Sequence, residues 1–193
     1  GEKTDLNEFF DRVKKLNLRN SVFIDNTANN YVASTYTKYL KNNIGVVTCN
    51  KIACSDNYEN YIKLKNLSKK YNTPFLFETN VGAGLPIIDT LNHLIASGDK
   101  IQKIQAILSG SLNFIFNNYN TTRSFRDVVY DAMKKGYTEP DPKIDLSGVD
   151  VSRKILILAR ECGHKVELED VVNYKFLTDD CLNSINNDEL FKN

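Results

Sequence analysis

The sequence predicts an α/β protein in two parts, a parallel sheet followed by an α+β domain. Short apolar strands, VFID at Val22 to Asp25 and GVVT within Ile44 to Thr48, alternate with helix-length segments, the pattern of a parallel sheet covered on both faces. The rhythm changes after Phe77, where a helix and one long strand lead into a helix-rich region from Ser111 to Gly163. Within that region the run ILILA, Ile155 to Ala159, is apolar all round a helix and so belongs inside a core.

In chain order, Asn7 to Asn17 reads as a polar helix, Val22 to Asp25 as a strand and Ala28 to Lys41 as a helix. Ile44 to Thr48 is the second strand, Tyr58 to Tyr71 a helix, and Phe75 to Phe77 the third strand. Leu85 to Ser97 is a helix with Pro86 in its first turn, where a missing N–H costs nothing. Lys103 to Leu108 is a strand whose expected partner is its own copy in a second subunit. The change of rhythm puts a domain boundary near Glu78, dividing the chain into 1–77 and 78–193.

Composition narrows the class. A chain of 193 residues, 41% hydrophobic and 25% charged, can bury one sizeable core or two small ones. Lys plus Arg number 25 against 24 for Asp plus Glu, so no basic footprint points to nucleic acid. No apolar run approaches the roughly 20 residues that span a bilayer, and no secretory signal pattern opens the chain. Cys49, Cys54, Cys162 and Cys181 are scattered, without a CxxC pair, which fits a reduced, cytoplasmic protein without structural zinc. Gly1 is set aside as a vector-derived remnant.

The chemistry gathers between Gly136 and Gly163, in GYTEPDPKIDLSGVDVSRKILILARECG. Asp150 and Lys154 are four residues apart and share a helix face, about 6 Å from each other. Charges beside so apolar a helix are costly unless paired or used. Two plainer readings stand beside a catalytic one: Ser147 with Asp150 as a capping box, and Asp150 with Lys154 as an ordinary helix pair. Pro140 and Pro142 bias Glu139 and Asp141 away from helix, so the preceding loop should be extended and stiff. Glu139, Asp141 and Asp145 on such a loop suit a ligand with an ammonium group.

A dinucleotide-binding fold opens with a strand and a GxGxxG turn, and this sequence has neither. GAGLPI at Gly82 to Ile87 lacks the third glycine. The first part therefore reads as an incomplete Rossmann-like sheet, its front strand and GxGxxG missing. The expectation is a piece of a larger enzyme.

Five ordered runs resemble one family: FIDNTA (Phe23 to Ala28), VVTCNK (Val46 to Lys51), FETNVGAGLPIIDTL (Phe77 to Leu91), ILSGSLNFIF (Ile107 to Phe116) and the Gly136 to Gly163 segment. Together they resemble homoserine dehydrogenase, which interconverts L-aspartate 4-semialdehyde and L-homoserine with NADP or NAD, on the route to threonine, methionine and isoleucine. The first twenty residues lean toward the bifunctional aspartokinase type. The resemblance implies Lys154 as proton donor, with Asp150 orienting it and contacting the substrate. It implies Glu139 on the substrate's amino group, supported by Asp145, and cofactor contacts from Thr27, Lys51 and Gly136. It further implies a sodium ion held by the main chain of Glu78, Val81, Ala83 and Leu85, a homodimer, and a second part, 78–193, that is a catalytic and dimerisation domain cut short at its end.

Each of these positions also has an ordinary reading. Lys51 can open a solvated loop, Asn26 and Thr27 can form a turn or cap the next helix, and Gly136 can end a helix. The ETNVGAGLP turn needs no ion to precede a helix. His93 and His164 are assigned to packing or surface. The sequence departs from the family at TCNKI, where Cys49 replaces a proline and Ile52 a lysine, and at PDPKID, where Lys143 and Ile144 replace Arg and Asp.

Two other functions stay open. Cys49 at a strand end suggests an aldehyde dehydrogenase forming a hemithioacetal, though no histidine motif supports it. A non-catalytic dimerisation and substrate-region module, binding no nucleotide, is the rival from another class.

Overall fold

The computed structural model describes residues 4–174, 177–184 and 187–191, with Gly1 outside them. The chain forms two compact units, residues 1–100 with 156–168, and residues 101–155 with 169–193.

The first unit opens with α1 (Leu6–Leu16), whose N-cap Asp5 accepts from the Asn7 and Glu8 amides at 2.7 and 3.2 Å. β1 (Val22–Asp25) leads to α2 (Asn30–Ser34) and α3 (Tyr36–Lys41), two helices where the pattern predicts one. Asn29 caps the first of them, and at the break the Thr35 hydroxyl donates to the Val32 carbonyl at 2.7 Å, a back-bond that bends helices. β2 (Gly45–Thr48), α4 (Ile52–Ser55), α5 (Tyr58–Tyr71) and β3 (Phe75–Leu76) follow, then a 3-10 turn at Glu78–Asn80 and α6 (Ile87–Ala96).

The three strands are parallel in the order β1-β2-β3, with Val46 opposite both Phe23 and Phe75. That row and its neighbours face a core of aromatic rings: Phe23 stacks on Tyr39 at 4.1 Å, and Tyr36 and Phe75 lie 6.1 Å apart. The next row, Ile24, Val47 and Leu76, is 63%, 36% and 54% exposed. The expected cover on both faces is therefore corrected to cover on one, among the described residues. Successive right-handed crossovers that step the strand order in a single direction put every connecting helix on the same side.

The C-terminal part of α10 (Val149–Glu161), from Leu156 on, belongs to this first unit. Arg160, 3% exposed, donates to the carbonyls of Val166, Cys54 and Asp56 at 3.0, 2.8 and 2.6 Å and pairs with Glu167 at 2.8 Å. Glu161 accepts from the Tyr61 hydroxyl and pairs with Lys65 at 2.9 Å. Both buried charges are thus compensated where the helix ends.

The second unit is helical among the described residues: α7 (Gly110–Asn118), α8 (Phe125–Lys134), α9 (Pro142–Leu146), the start of α10, α11 (Asp179–Leu182) and α12 (Asn187–Leu190). Ile115, Val128, Val129, Ala132 and Leu146 form its core. One expectation, the extended acidic loop, is corrected here, and another, the Lys103 to Leu108 strand, is one whose expected partner is a second subunit's copy. Residues 101–109 carry no strand, and Ile107 is 78% exposed. A strand exists only where a neighbour supplies the matching N–H and C=O groups, and the described chain offers none there. The acidic loop is extended only as far as Asp141, which caps α9 by accepting from the Lys143 amide at 3.0 Å, with Pro142 in the first turn.

No helix among the described residues is long and apolar enough to cross a membrane. Cys49, Cys54, Cys162 and Cys181 are free thiols. His93 lies on the exposed face of α6, 3.7 Å from Asp89, and His164 is exposed beyond the end of α10.

Candidate active site

Parallel pairing sets the ends of β1 and β2 side by side, with Asp25 opposite Thr48. Asp25 is 1% exposed, a carboxylate that the core tolerates only if its oxygens are filled. Oδ1 accepts from the Thr27 amide at 2.7 Å, and Oδ2 accepts from the Tyr36 hydroxyl at 2.5 Å and from Asn50 Nδ2 at 3.1 Å. Burial pushes the Asp25 pKa up, but the bonds from Tyr36, Thr27 and Asn50 outweigh it and hold the carboxyl below its ordinary 3.8. The same burial, together with the neighbouring carboxylate, pushes the Tyr36 hydroxyl well up, so it stays protonated as a donor.

The network reaches further. The Tyr36 hydroxyl lies 2.8 Å from Thr48 Oγ1, which accepts from the Asn50 amide at 2.8 Å. Asn50 Nδ2 also donates to the Asn29 carbonyl at 3.0 Å, and its Oδ1 accepts from the Ile52 amide at 3.1 Å. Asn80, with its amide nitrogen turned to satisfy both groups, donates to the Thr48 and Cys49 carbonyls at 3.2 and 3.1 Å. The loops after both strands are pinned by side chains that the sequence pattern did not single out. The available signal was Asp25 itself, an acid closing an apolar strand.

Thr27 is exposed, and its hydroxyl oxygen accepts from the Asn29 amide at 3.1 Å. Lys51 follows β2 at the mouth of α4, its carbonyl accepting from the Ser55 amide and hydroxyl at 2.9 and 2.8 Å. The polar turn formers thus take separate parts: Asn29, rather than Asn26 or Thr27, caps the next helix.

The glycine turn is built on Glu78. Its carboxylate accepts from the Ile88 and Asp89 amides, both at 2.8 Å, and so caps α6 across ten residues, since Pro86 has no capping side chain. Gly82 and Ala83 adopt φ of 83° and 51°, and a Cβ on Gly82 would meet Ile87 Cγ1 at 2.5 Å. The Glu78 carbonyl accepts from the Val81 amide at 3.3 Å and that of Leu85 from the Ile87 amide at 2.9 Å.

In the second unit, Lys154 is partly buried with its ammonium on Asp150 Oδ2 at 2.7 Å and on the Leu108 carbonyl at 2.7 Å. Those are its acceptors among the described residues, and an ammonium has a third N–H bond to offer. The helix-pair reading of Asp150 holds, whereas the capping box does not form: the Ser147 amide donates to the Lys143 carbonyl at 2.8 Å instead. Asp145 joins two elements, accepting from Ser111 Oγ at 2.7 Å and from the Glu139 amide at 2.8 Å. Glu139 is exposed on the loop so held. Gly136, with φ of 73°, ends α8, its amide on the Met133 carbonyl at 3.0 Å and the Tyr137 amide on that of Ala132 at 3.0 Å. Ser111 and the Leu108 carbonyl, the partners of Asp145 and Lys154, are groups that sequence reasoning missed.

Parallel strands with helical crossovers, and polar side chains gathered at their carboxyl ends, define the nucleotide-binding class of α/β domain. Residues 86–188 match the homoserine dehydrogenase family and residues 2–78 match the homoserine dehydrogenase NAD-binding domain. The chain belongs to the homoserine dehydrogenase family. It is 49% identical over 170 residues to the chloroplastic bifunctional aspartokinase/homoserine dehydrogenase 1 of Arabidopsis thaliana, covering 88% of this chain and 19% of that protein. It is 43% identical over 176 residues to the homoserine dehydrogenase of Schizosaccharomyces pombe, covering 89% of this chain and 47% of that protein. The chain thus spans between a fifth and a half of these relatives' length. Among solved structures, a Candida auris protein of unknown function superposes with a TM-score of 0.91 at 33% identity, over 100% of this chain and 55% of that one. A hyperthermophilic archaeal homoserine dehydrogenase mutant in complex with NADPH superposes with a TM-score of 0.66 at 32% identity, over 74% of this chain and 44% of that one.

Asp25's depressed pKa sets a pH window. Its stabilising contribution is fully present above the ordinary 3.8 and is lost as pH falls below that value. Asp25→Asn should therefore cost about 2 kcal/mol at pH 7. In urea unfolding the gap from the parent chain should narrow on going from about pH 5 to pH 3.

Proposed function

We propose that this chain is part of an NAD(P)H-dependent homoserine dehydrogenase reducing L-aspartate 4-semialdehyde to L-homoserine in amino-acid biosynthesis. The observation that carries the reading is Lys154, partly buried and gripped by Asp150 and the Leu108 carbonyl with an N–H bond to spare. The reduced nicotinamide, when bound, supplies the hydride. Negative charge then develops on the former aldehyde oxygen, and Lys154 Nζ donates to it and gives up a proton as the alcohol forms. Asp150 keeps the ammonium oriented until that transfer.

Glu139 takes the substrate's ammonium group, and Asp145 positions it by gripping its amide. Thr27, Lys51 and Gly136 contact the cofactor; for Gly136 the open space where a Cβ would stand supports a close backbone approach. Cytoplasmic residence fits the four free cysteines.

The decisive experiment uses the full-length enzyme. Lys154→Ala should lower kcat by about a hundredfold or more while the Kd for NADPH stays within about twofold. A matching loss of cofactor affinity would make Lys154 a binding residue and defeat the reading.

The same reading includes a homodimer in which Lys103 to Leu108 pairs with its copy, supported by the exposure of much of that segment and by the absence of a neighbouring strand among the described residues. Sedimentation equilibrium of the full-length enzyme should give twice the chain mass, and a strict monomer would refute it.

It also includes a sodium ion on the carbonyls of Glu78, Val81, Ala83 and Leu85. The left-handed pair Gly82 and Ala83 supports it, and the Glu78 and Leu85 oxygens each keep a lone pair beyond the N–H bond they accept. With a Kd of about 10 mM, 100 mM sodium should stabilise the fold by about 1.4 kcal/mol over choline at equal ionic strength. Equal unfolding midpoints in the two salts would exclude the ion.

A further inference from the structure

The loops after β1 and β2 carry the two residues of the first unit assigned to the cofactor, and neither loop is held by its own backbone alone. Both are tied to one buried group. Asp25 Oδ1 fixes the Thr27 amide, while Oδ2 receives the Tyr36 hydroxyl and the Asn50 amide nitrogen. Asn50 then grips the first loop through the Asn29 carbonyl and the second through the Ile52 amide, so Lys51 lies between two anchored residues. Thr48 closes the ring by accepting from the Asn50 amide and contacting the Tyr36 hydroxyl. Asp25, Tyr36, Thr48 and Asn50 are 1%, 0%, 2% and 1% exposed, so none can touch a ligand itself.

The geometry points to a positioning role for Tyr36 and Thr48: through Asp25 and Asn50 they hold Thr27 and Lys51 in the arrangement that binds the cofactor. This rests on the assignment of Thr27 and Lys51 made above. The mechanism is preorganisation. Thr27's hydroxyl oxygen is occupied by the Asn29 amide, which leaves its hydrogen to be presented outward as a donor. If the ring opens, both loops gain freedom that cofactor binding must then remove, and affinity falls without any contact residue changing. Proton donation to the substrate oxygen, assigned to Lys154, does not pass through this ring.

Tyr36→Phe is the test, because it keeps the aromatic ring that packs near Phe23 and Phe75 and deletes only the hydroxyl. In the full-length enzyme the variant should raise the Kd for NADPH, read by fluorescence titration, about tenfold. Its kcat at saturating NADPH and its KM for the aldehyde should stay within about twofold. Thr48→Val, which breaks the ring at a different atom, should do the same and serves if the tyrosine variant fails to fold. Ser68→Ala is the comparison, removing a hydroxyl bond of similar length to the Thr73 carbonyl, 2.7 Å, away from these loops. It should lower Tm with no change in the NADPH Kd.

Unchanged NADPH affinity in a folded Tyr36→Phe or Thr48→Val enzyme overturns the proposal. So does an equal rise in Ser68→Ala, which would mean general loosening. If Lys51→Ala and Thr27→Val weaken NADPH binding while the ring variants do not, only the positioning role falls. If Lys51→Ala and Thr27→Val also bind NADPH normally, the assignment beneath it falls too.

Discussion

A carboxylate at the end of a parallel strand, closed off from water, constrains the first unit more than any apolar contact does. Asp25 can stay ionised at 1% exposure only because three donors converge on it. Meeting that demand fixes where Tyr36 must point, so α3 can lie on the sheet in only one rotation. It also fixes Asn50, and through Asn50 the paths of the chain after β1 and after β2. The aromatic cluster of Phe10, Phe23 and Tyr39, with Phe23 stacked on Tyr39 and Phe10 edge-on to it, then fills the space the polar ring leaves. Core and site are thus solved together, because the ring that satisfies a buried charge is the ring that sets the loops.

The second unit handles charge by a different rule. Lys154 and Asp150 are partners by helix spacing alone, but a helix pair on an open surface is worth little. The Leu108 carbonyl changes this by giving the ammonium a second acceptor at a partly buried position. Asp145 does comparable work for the acidic loop, since it binds the Glu139 amide and is itself held by Ser111. A loop stiffened by prolines and anchored at one carboxylate has little freedom left to lose when a ligand arrives.

Helix and strand positions were legible because they follow from periodicity and capping chemistry. Val22–Asp25, Tyr58–Tyr71 and the buried face of α10 could be read from residue pattern, with helix ends shifted by a residue or two elsewhere. The break at Thr35 was not legible, since the back-bond to Val32 is a choice between two conformations open to threonine. Nor was Glu78 as the cap of α6: the usual capping position holds Pro86, and the acid that replaces it stands outside any local window. Lys103 to Leu108 reads as a strand in the sequence, but pairing needs a second set of backbone groups that the segment's own residues cannot supply.

Residue order by itself determined the class of fold and the family, because these depend on residue types at short, fixed spacings. Tertiary structure alone decided which polar groups share a hydrogen bond: Asp25 with Tyr36 and Asn50, Lys154 with Leu108, Asp145 with Ser111. It also decided that, among the described residues, one face of the sheet carries all its helices, which depends on strand order and the right-handed crossover rather than on any residue's preference. The physical reason is common to both. Spacing along the chain fixes contacts within one element, whereas the saturation of a buried charge or carbonyl depends on donors arriving from elsewhere, and only the folded chain sets those distances.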